Sequence, residues 1–315
     1  MYRYQLGSAV LTSDEPLPSL PTSAGPSDVS WRLRRVESLP APSGPPLVAI
    51  GARDGGRPSV VVHRCGAAHH LELPRVGCFR VAADELAFAL EPGCSWSALE
   101  QALVDQVVPR ALHLRGRPCL HASAASVDGV GAIALVGESG AGKSTLCAKL
   151  ATDGKIVSDD SLSLRVTDEA VLALPGYPSL RLWRDALESL GEDADGLERA
   201  TPRSPKLRAP RPLVAGPVPL ALVVVLSRAP SADRSATQRL VGRAAFEALQ
   251  PHVHRLDPEE PEALAAEFAL LTALAARVPL VALSYAPGFE SAESVAARVL
   301  SEASRGRAPA TAARR

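Results

Sequence analysis

The stretch GESGAGKST at residues 137–145 constrains this chain more than any other, because few folds can present it. It fits the pattern G-x-x-x-x-G-K-[ST], with Gly137, Gly142, Lys143 and Ser144 in the defining places. The apolar run AIALV at 132–136 leads straight into it, and a helix is expected from residue 144 to about 152. Strand, glycine-rich loop and helix in that order make a phosphate cradle, because the backbone N–H groups must turn inward and that needs dihedrals a Cβ would obstruct. The helix adds the positive end of its dipole. Gly137, Glu138, Ser139, Gly140, Ala141, Gly142, Lys143, Ser144 and Thr145 are therefore the expected nucleotide-binding segment. Lys143 is expected on the β- and γ-phosphates and the Ser144 hydroxyl on magnesium, so ATP and Mg²⁺ are the expected ligands.

A pair of carboxylates, Asp159 and Asp160, ends the short apolar run 156–158. A carboxylate at the end of a parallel-sheet strand lies beside the ligand crevice. One of the two is placed to hold the metal while its neighbour accepts the proton of an attacking hydroxyl, and the residues alone leave open which does which. His121, at the start of the apolar stretch before the P-loop, is a candidate proton relay to one of them, against a plain structural role. Arg181, within LPGYPSLRLW at 174–183, reads either as a phosphate neutraliser or as a solvated helical arginine. Arg203, Lys206 and Arg208 read as a cationic lid or as ordinary surface loop. His69–His70 and His252-x-His254 lack further partners at metal-ligand spacing and read as structural.

Along the chain, residues 1–94 read as a mainly β N-terminal domain, with strands at 2–11, 29–36, 47–50, 60–63, 79–82 and 86–90 separated by Pro, Gly and Ser. Trp96, Leu99, Leu103 and Val107 fall at helical spacing behind the cap residue Ser95, which predicts a connecting helix over 95–117 with Pro109 as its kink or end. Residues 118–303 alternate strands and helices and predict a layered α/β domain, with an exposed loop over 192–211, helices at 239–250, 261–276 and 291–303, and a frayed tail at 304–315. The fold class is thus α/β, a C-terminal P-loop domain preceded by a mainly β one.

With 46% apolar residues, 22% charged and a formal net charge of zero, the chain has the composition of a globular protein that draws neither nucleic acid nor an anionic membrane. The start MYRYQLGSAV lacks a long apolar run behind a charged segment, and the apolar run 220–226 is too short to cross a bilayer, so a cytoplasmic protein is expected. The five cysteines are irregularly spaced and read as buried free thiols.

The run LHASAASVDGVGAIALVGESGAGKSTLCAKLATDGKIVSDDSLSL resembles the HPr kinase/phosphorylase family, with a His, a hairpin, a P-loop, a helix and then Asp-Asp in the same order. That resemblance implies a P-loop fold of the HPr kinase and phosphoenolpyruvate carboxykinase type, using ATP and Mg²⁺ to phosphorylate a protein serine. Carried over by position, it implies Asp159 as catalytic base, Asp160 and Ser144 as magnesium contacts, and His121 as the partner of the base. It also allows for assemblies of several copies. The opening YRYQLGSAVLTSDEPLPSLP and PGYPSLRLWRDALESLG are similar to HprK-like proteins that accompany lasso-peptide and other ribosomal-peptide gene clusters, some of which phosphorylate the terminal serine of a precursor peptide. The glycine- and isoleucine-rich signature that follows Asp-Asp in the HPr enzymes is missing here, which argues against phosphorylase activity and against HPr as the acceptor.

The expected activity is therefore transfer of the γ-phosphoryl group to a serine of a peptide or protein, with an ATP-gated sensor and a small-molecule kinase as the other readings. On any reading that involves turnover, Lys143→Ala is expected to abolish it, checked by release or transfer of labelled phosphate from ATP.

Overall fold

The computed structural model describes residues 1–305 except 24, 26, 28, 54–56, 202–203, 230–235, 287 and 289. Eight strands form an N-terminal sheet: β1 (Tyr2–Leu6), β2 (Ala9–Ser13), β3 (Val29–Arg35), β4 (Val48–Arg53), β5 (Arg57–Cys65), β6 (Ala68–Leu73), β7 (Gly77–Val81) and β8 (Glu85–Leu90). Their order is β1-β2-β3-β8-β7-β6-β5-β4, antiparallel except where β3 runs parallel to both β2 and β8. In β3 the alternation Val29, Trp31, Leu33 puts one face in the core, as period-2 patterning requires. The expected single strand over 2–11 is instead the hairpin β1–β2, turned at Gly7. The strand β6 was not anticipated, because His69 and His70 break its apolar pattern although both are buried.

The expected connecting helix has two parts, α1 (Trp96–Ala102) and α2 (Val108–Leu114), joined by a π-turn at Leu103–Val107. Ser95 caps it, its side chain accepting from the Ala98 N–H at 3.1 Å. Pro109 does not end it, since α2 runs on to Leu114. The proline sits in the first turn of α2, where the missing N–H costs nothing. Leu99, Leu103, Val107, Ala111 and Leu112 fill one core with Trp31, Phe79, Leu86 and Phe88, so the helix closes one face of the N-terminal sheet.

The second half continues with β9 (Cys119–Leu120), β10 (Ala122–Val127), β11 (Gly131–Gly137), α3 (Lys143–Leu150), β12 (Ile156–Ser158), β13 (Leu162–Val166), β14 (Val171–Ala173), β15 (Ser179–Leu182) and α4 (Arg184–Ser189). It ends with β16 (Leu207–Pro210), β17 (Val218–Arg228), β18 (Ala236–Leu240), α5 (Gly242–Leu249), α6 (Pro261–Arg277), β19 (Leu280–Tyr285) and α7 (Glu290–Arg305). β11, β17 and β19 are parallel neighbours and form the middle of the sheet. β17 is buried along most of its apolar length, as a strand covered on both faces must be. β12 pairs antiparallel with β10, and β10 with β11, so β12 points the same way as β11 and the two end on the same edge.

Four expectations change. The segment 192–211 is not all exposed loop: β16 pairs antiparallel with β15, with Leu207 and Ala209 buried in the core that holds Leu180 and Leu182. Residues 239–250 open with the end of strand β18 before α5 begins. The last helix runs on through Arg305, and 306–315 lie outside the described residues, as does Arg203. All five cysteines are free thiols, but only Cys119 and Cys147 are buried and Cys65 is exposed. Among the described residues no helix is long and apolar enough to cross a membrane.

Leu103 is fully buried in the first core at the π-turn. Leu103→Ala is expected to lower folding stability by about 2–5 kcal/mol in urea denaturation, through lost transfer energy and the cavity left behind.

Candidate functional site

The loop between β11 and α3 carries Gly137, Gly140 and Gly142 at φ of 148°, 87° and 88°. A Cβ at Gly137 would lie 2.6 Å from the Leu226 carbonyl oxygen of neighbouring β17, and one at Gly142 would collide with the Tyr285 hydroxyl. That hydroxyl donates to the Ala141 carbonyl, so β19 fixes the loop from below. The apex, Glu138 to Gly140, is exposed, whereas Lys143 and Ser144 are buried at the helix start. Lys143 Nζ donates to the carbonyls of Gly137 at 2.8 Å and Glu138 at 3.2 Å. Burial pulls its pKa down to about 8, with Lys206 and Arg181 adding to the fall and Asp159 opposing it.

Asp159 follows β12 directly and faces this loop. Its Oδ1 accepts from Ser144 Oγ at 3.0 Å and from Ser123 Oγ at 2.5 Å, and its Oδ2 from the Arg181 backbone N–H at 2.9 Å. One carboxylate thus ties together β10, the P-loop helix and β15. Asp160 takes the left-handed conformation at φ 60°, strained for a residue with a Cβ. Its carboxylate pairs with the Arg181 guanidinium through Oδ2. Its main-chain carbonyl receives two imidazoles, His121 Nδ1 and His254 Nε2, each at 3.0 Å. The two rings meet edge to face at 5.4 Å.

Ser144 therefore hydrogen-bonds Asp159, whereas the resemblance implies Ser144 and Asp160 as the magnesium contacts. His121 meets the Asp160 backbone, not a carboxylate. The reason lies in the strand break at His121: β9 pairs with β13 while β10 pairs with β11 and β12, so His121 sits between two ladders and its ring reaches the turn after β12. Burial pushes the pKa of His121 far below the ordinary histidine range, and His254, Lys143 and Arg181 push the same way. His254 is likewise held down by burial and then by Arg110. Both rings are neutral at neutral pH and act as N–H donors rather than as charges.

Sequence reasoning missed three residues here. Ser123 donates to Asp159 from the middle of β10, and nothing in ASAAS singles it out. His254 matches His121 in its contact, yet its partner is 94 residues away. Asp105, on the π-turn, accepts from Arg181 Nη1 at 2.5 Å. Arg181 itself is on strand β15, not on a helix or in solvent, and its side chain is 17% exposed. Burial raises the Asp105 pKa and Arg181 opposes that shift. Arg208 is no lid either: it is opposite Arg181 in register, donates to Ser19 and the Ser97 carbonyl, and covers the Tyr177 ring. His69 is structural, bonding Asp257 at 2.7 Å beside a two-pronged Arg64 contact.

The oxygen donors Ser144 Oγ and Asp159 Oδ1, adjacent at the head of a glycine loop, suit a hard cation such as magnesium, and the loop's backbone geometry suits phosphate. No protein-family model and no curated protein matches this chain. Among solved structures it is similar to the Hpr(Ser) kinase/phosphatase from Coxiella burnetii, at 15% identity and a TM-score of 0.34, over 59% of this chain and 91% of that one. The functional reading therefore rests on the site's own residues.

Lys143 supplies a test of the electrostatics. Its folded pKa of about 8 lies below the free value of 10.5, so between them the unfolded chain holds a proton that the folded chain lacks. The Lys143 contribution to stability is then expected to rise with pH across that window. Denaturant titrations of the wild type and Lys143→Met, without added nucleotide, should diverge there; parallel curves would contradict the shift.

Proposed function

We propose that the chain is an ATP- and Mg²⁺-dependent kinase that transfers the γ-phosphoryl group to a serine hydroxyl of a peptide or protein. The observation that carries this reading is the 3.0 Å hydrogen bond from the P-loop hydroxyl Ser144 to Asp159, with a second carboxylate next in sequence. A loop that only bound nucleotide would need the first carboxylate and not the second.

ATP supplies the phosphoryl group, and magnesium neutralises its oxygens. The loop N–H groups and Lys143 hold the phosphates, Lys143 exchanging its two carbonyl partners for phosphate oxygens. Ser144 and Asp159 would hold the metal. Among the described residues no three His, Cys, Asp or Glu side chains gather into a metal cluster, so the ion would draw its remaining ligands from phosphate and water. Asp159 is already engaged by three donors, from Ser123, Ser144 and the Arg181 backbone. Asp160 Oδ1 has no hydrogen-bond partner among the described residues, and Asp160 is therefore the carboxylate that receives the acceptor hydroxyl. Arg181 holds its other oxygen, and where the transition state is loose the main task of such a carboxylate is to orient the nucleophile. These roles are the reverse of those implied by the family resemblance. A serine near the end of a ribosomally made precursor peptide is the acceptor class that the similarity of the N-terminal segment favours.

The two assignments separate by mutation. Asp160→Asn is expected to bind MgATP as the wild type does and to transfer phosphate at least about a hundredfold more slowly. Asp159→Asn is expected to lose the magnesium dependence of ATP binding itself. Calorimetric titration with ATP, with and without magnesium, beside transfer of label to serine peptides, measures both. The opposite pattern would restore Asp159 as the base, and binding without labelling of any acceptor in the wild type would leave a nucleotide sensor.

A further inference from the structure

The connector helix reaches the Asp159–Asp160 pair by two independent routes. In the first, Asp105 Oδ2 takes Arg181 Nη1 at 2.5 Å, while Nη2 of the same guanidinium pairs with the Asp160 carboxylate and the Arg181 backbone N–H donates to Asp159. In the second, Arg110 Nη1 lies 3.5 Å from His254 Nδ1, and His254 Nε2 is 3.0 Å from the Asp160 carbonyl. The Asp160 carbonyl can only accept, so the His254 proton is on Nε2, and Nδ1 is left facing Arg110 Nη1, which also donates to the Gln106 carbonyl at 3.2 Å and to Gln106 Oε1 at 2.8 Å. Asp105 and Arg110 are 3% and 5% exposed, five positions apart on one helix.

The π-turn explains why both face the same way. Its i→i+5 bonding turns the helix less per residue than an α-helix would, bringing side chains five apart nearer to one face. Gln101 Nε2, at ordinary i,i+4 helical spacing, bonds Asp105 Oδ1 at 2.9 Å and holds the carboxylate in place. The same helix also buries Glu100, Gln101 and His113 beside its apolar residues, and a buried acid or arginine is costly unless it is paired, as Asp105 is with Arg181.

We propose that Asp105 and Arg110 are positioning residues for the phosphotransfer site, Asp105 setting the Asp160 carboxylate through Arg181 and Arg110 setting the Asp160 backbone through His254. The N-terminal half is thereby part of the catalytic apparatus and not merely a substrate-binding annex. The inference rests on Asp160 as the acceptor-side carboxylate.

Two measurements on the full chain test it. Hydrogen–deuterium exchange without added nucleotide compares wild type, Asp105→Asn, Arg110→Gln and, as a surface-pair control, Asp14→Asn. Exchange is expected to quicken at 159–161 and 179–182 in Asp105→Asn, and at 159–161 in Arg110→Gln, with the outer N-terminal strands unchanged and the control silent. Hydrolysis of labelled ATP, with water as acceptor, is expected to show kcat down about tenfold or more in each variant while KM for ATP stays within about twofold. Unchanged exchange at 159–161, or exchange quickened evenly over both sheets, would overturn the proposal. A wild type that never releases phosphate would count against the kinase reading instead, and the exchange pattern would still decide the positioning claim. If Asp105→Asn does not fold, Arg181→Lys, which keeps the charge but not the forked contact, is expected to give the same exchange pattern, and its failure to do so would overturn the first route.

Discussion

The site depends on the Asp159 carboxylate. Three donors converge on it, from β10, from the P-loop helix and from β15, and it lies one residue beyond β12. A buried carboxylate without partners is costly, so these elements are held in the one arrangement that supplies its donors. The same arrangement places Ser144 at the head of the glycine loop and pushes the next residue, Asp160, into a left-handed turn. That turn is sustained by its surroundings: two neutral imidazoles on its carbonyl and a guanidinium on its carboxylate. Asp159 is thus the more tightly held of the two carboxylates, which is why we propose it for the fixed charge and Asp160 for the acceptor side.

What could be read from the sequence follows the range of the forces involved. The P-loop was legible because it is local: glycines at the positions that need positive φ, an apolar strand before and a helix after. Asp159–Asp160 was legible as a pair for the same reason, at the end of a short apolar run. Their division of labour was not, because it depends on Ser123 and Arg181, 36 and 22 residues away. The pairing of β15 with β16 was hidden in a segment rich in proline and charge, since its ladder partner and its core contacts are both distant. The strand β6 was lost because His69 and His70 look polar in sequence, although each is buried and His69 Nε2 bonds Asp257 from the other half of the chain.

Buried charge also joins the two halves of the chain. Asp257 with Arg64 and His69, Glu267 with His113 and Arg255, and Asp105 with Arg181 each link the N-terminal sheet or its helix to the P-loop half. Such pairs add little net stability over apolar contacts, but breaking one leaves an uncompensated charge, so they select one docking geometry. The core of the first half also continues past residues 94 and 117, taking in Cys119, Tyr177 and Leu256.

The central claim is that this site moves a phosphoryl group from ATP to a serine. Mass spectrometry of serine-terminated peptides incubated with the protein, ATP and magnesium tests it most directly. A phosphate added to serine, dependent on magnesium and absent with Lys143→Ala, is expected; intact peptides alongside demonstrable MgATP binding would rule the transfer out.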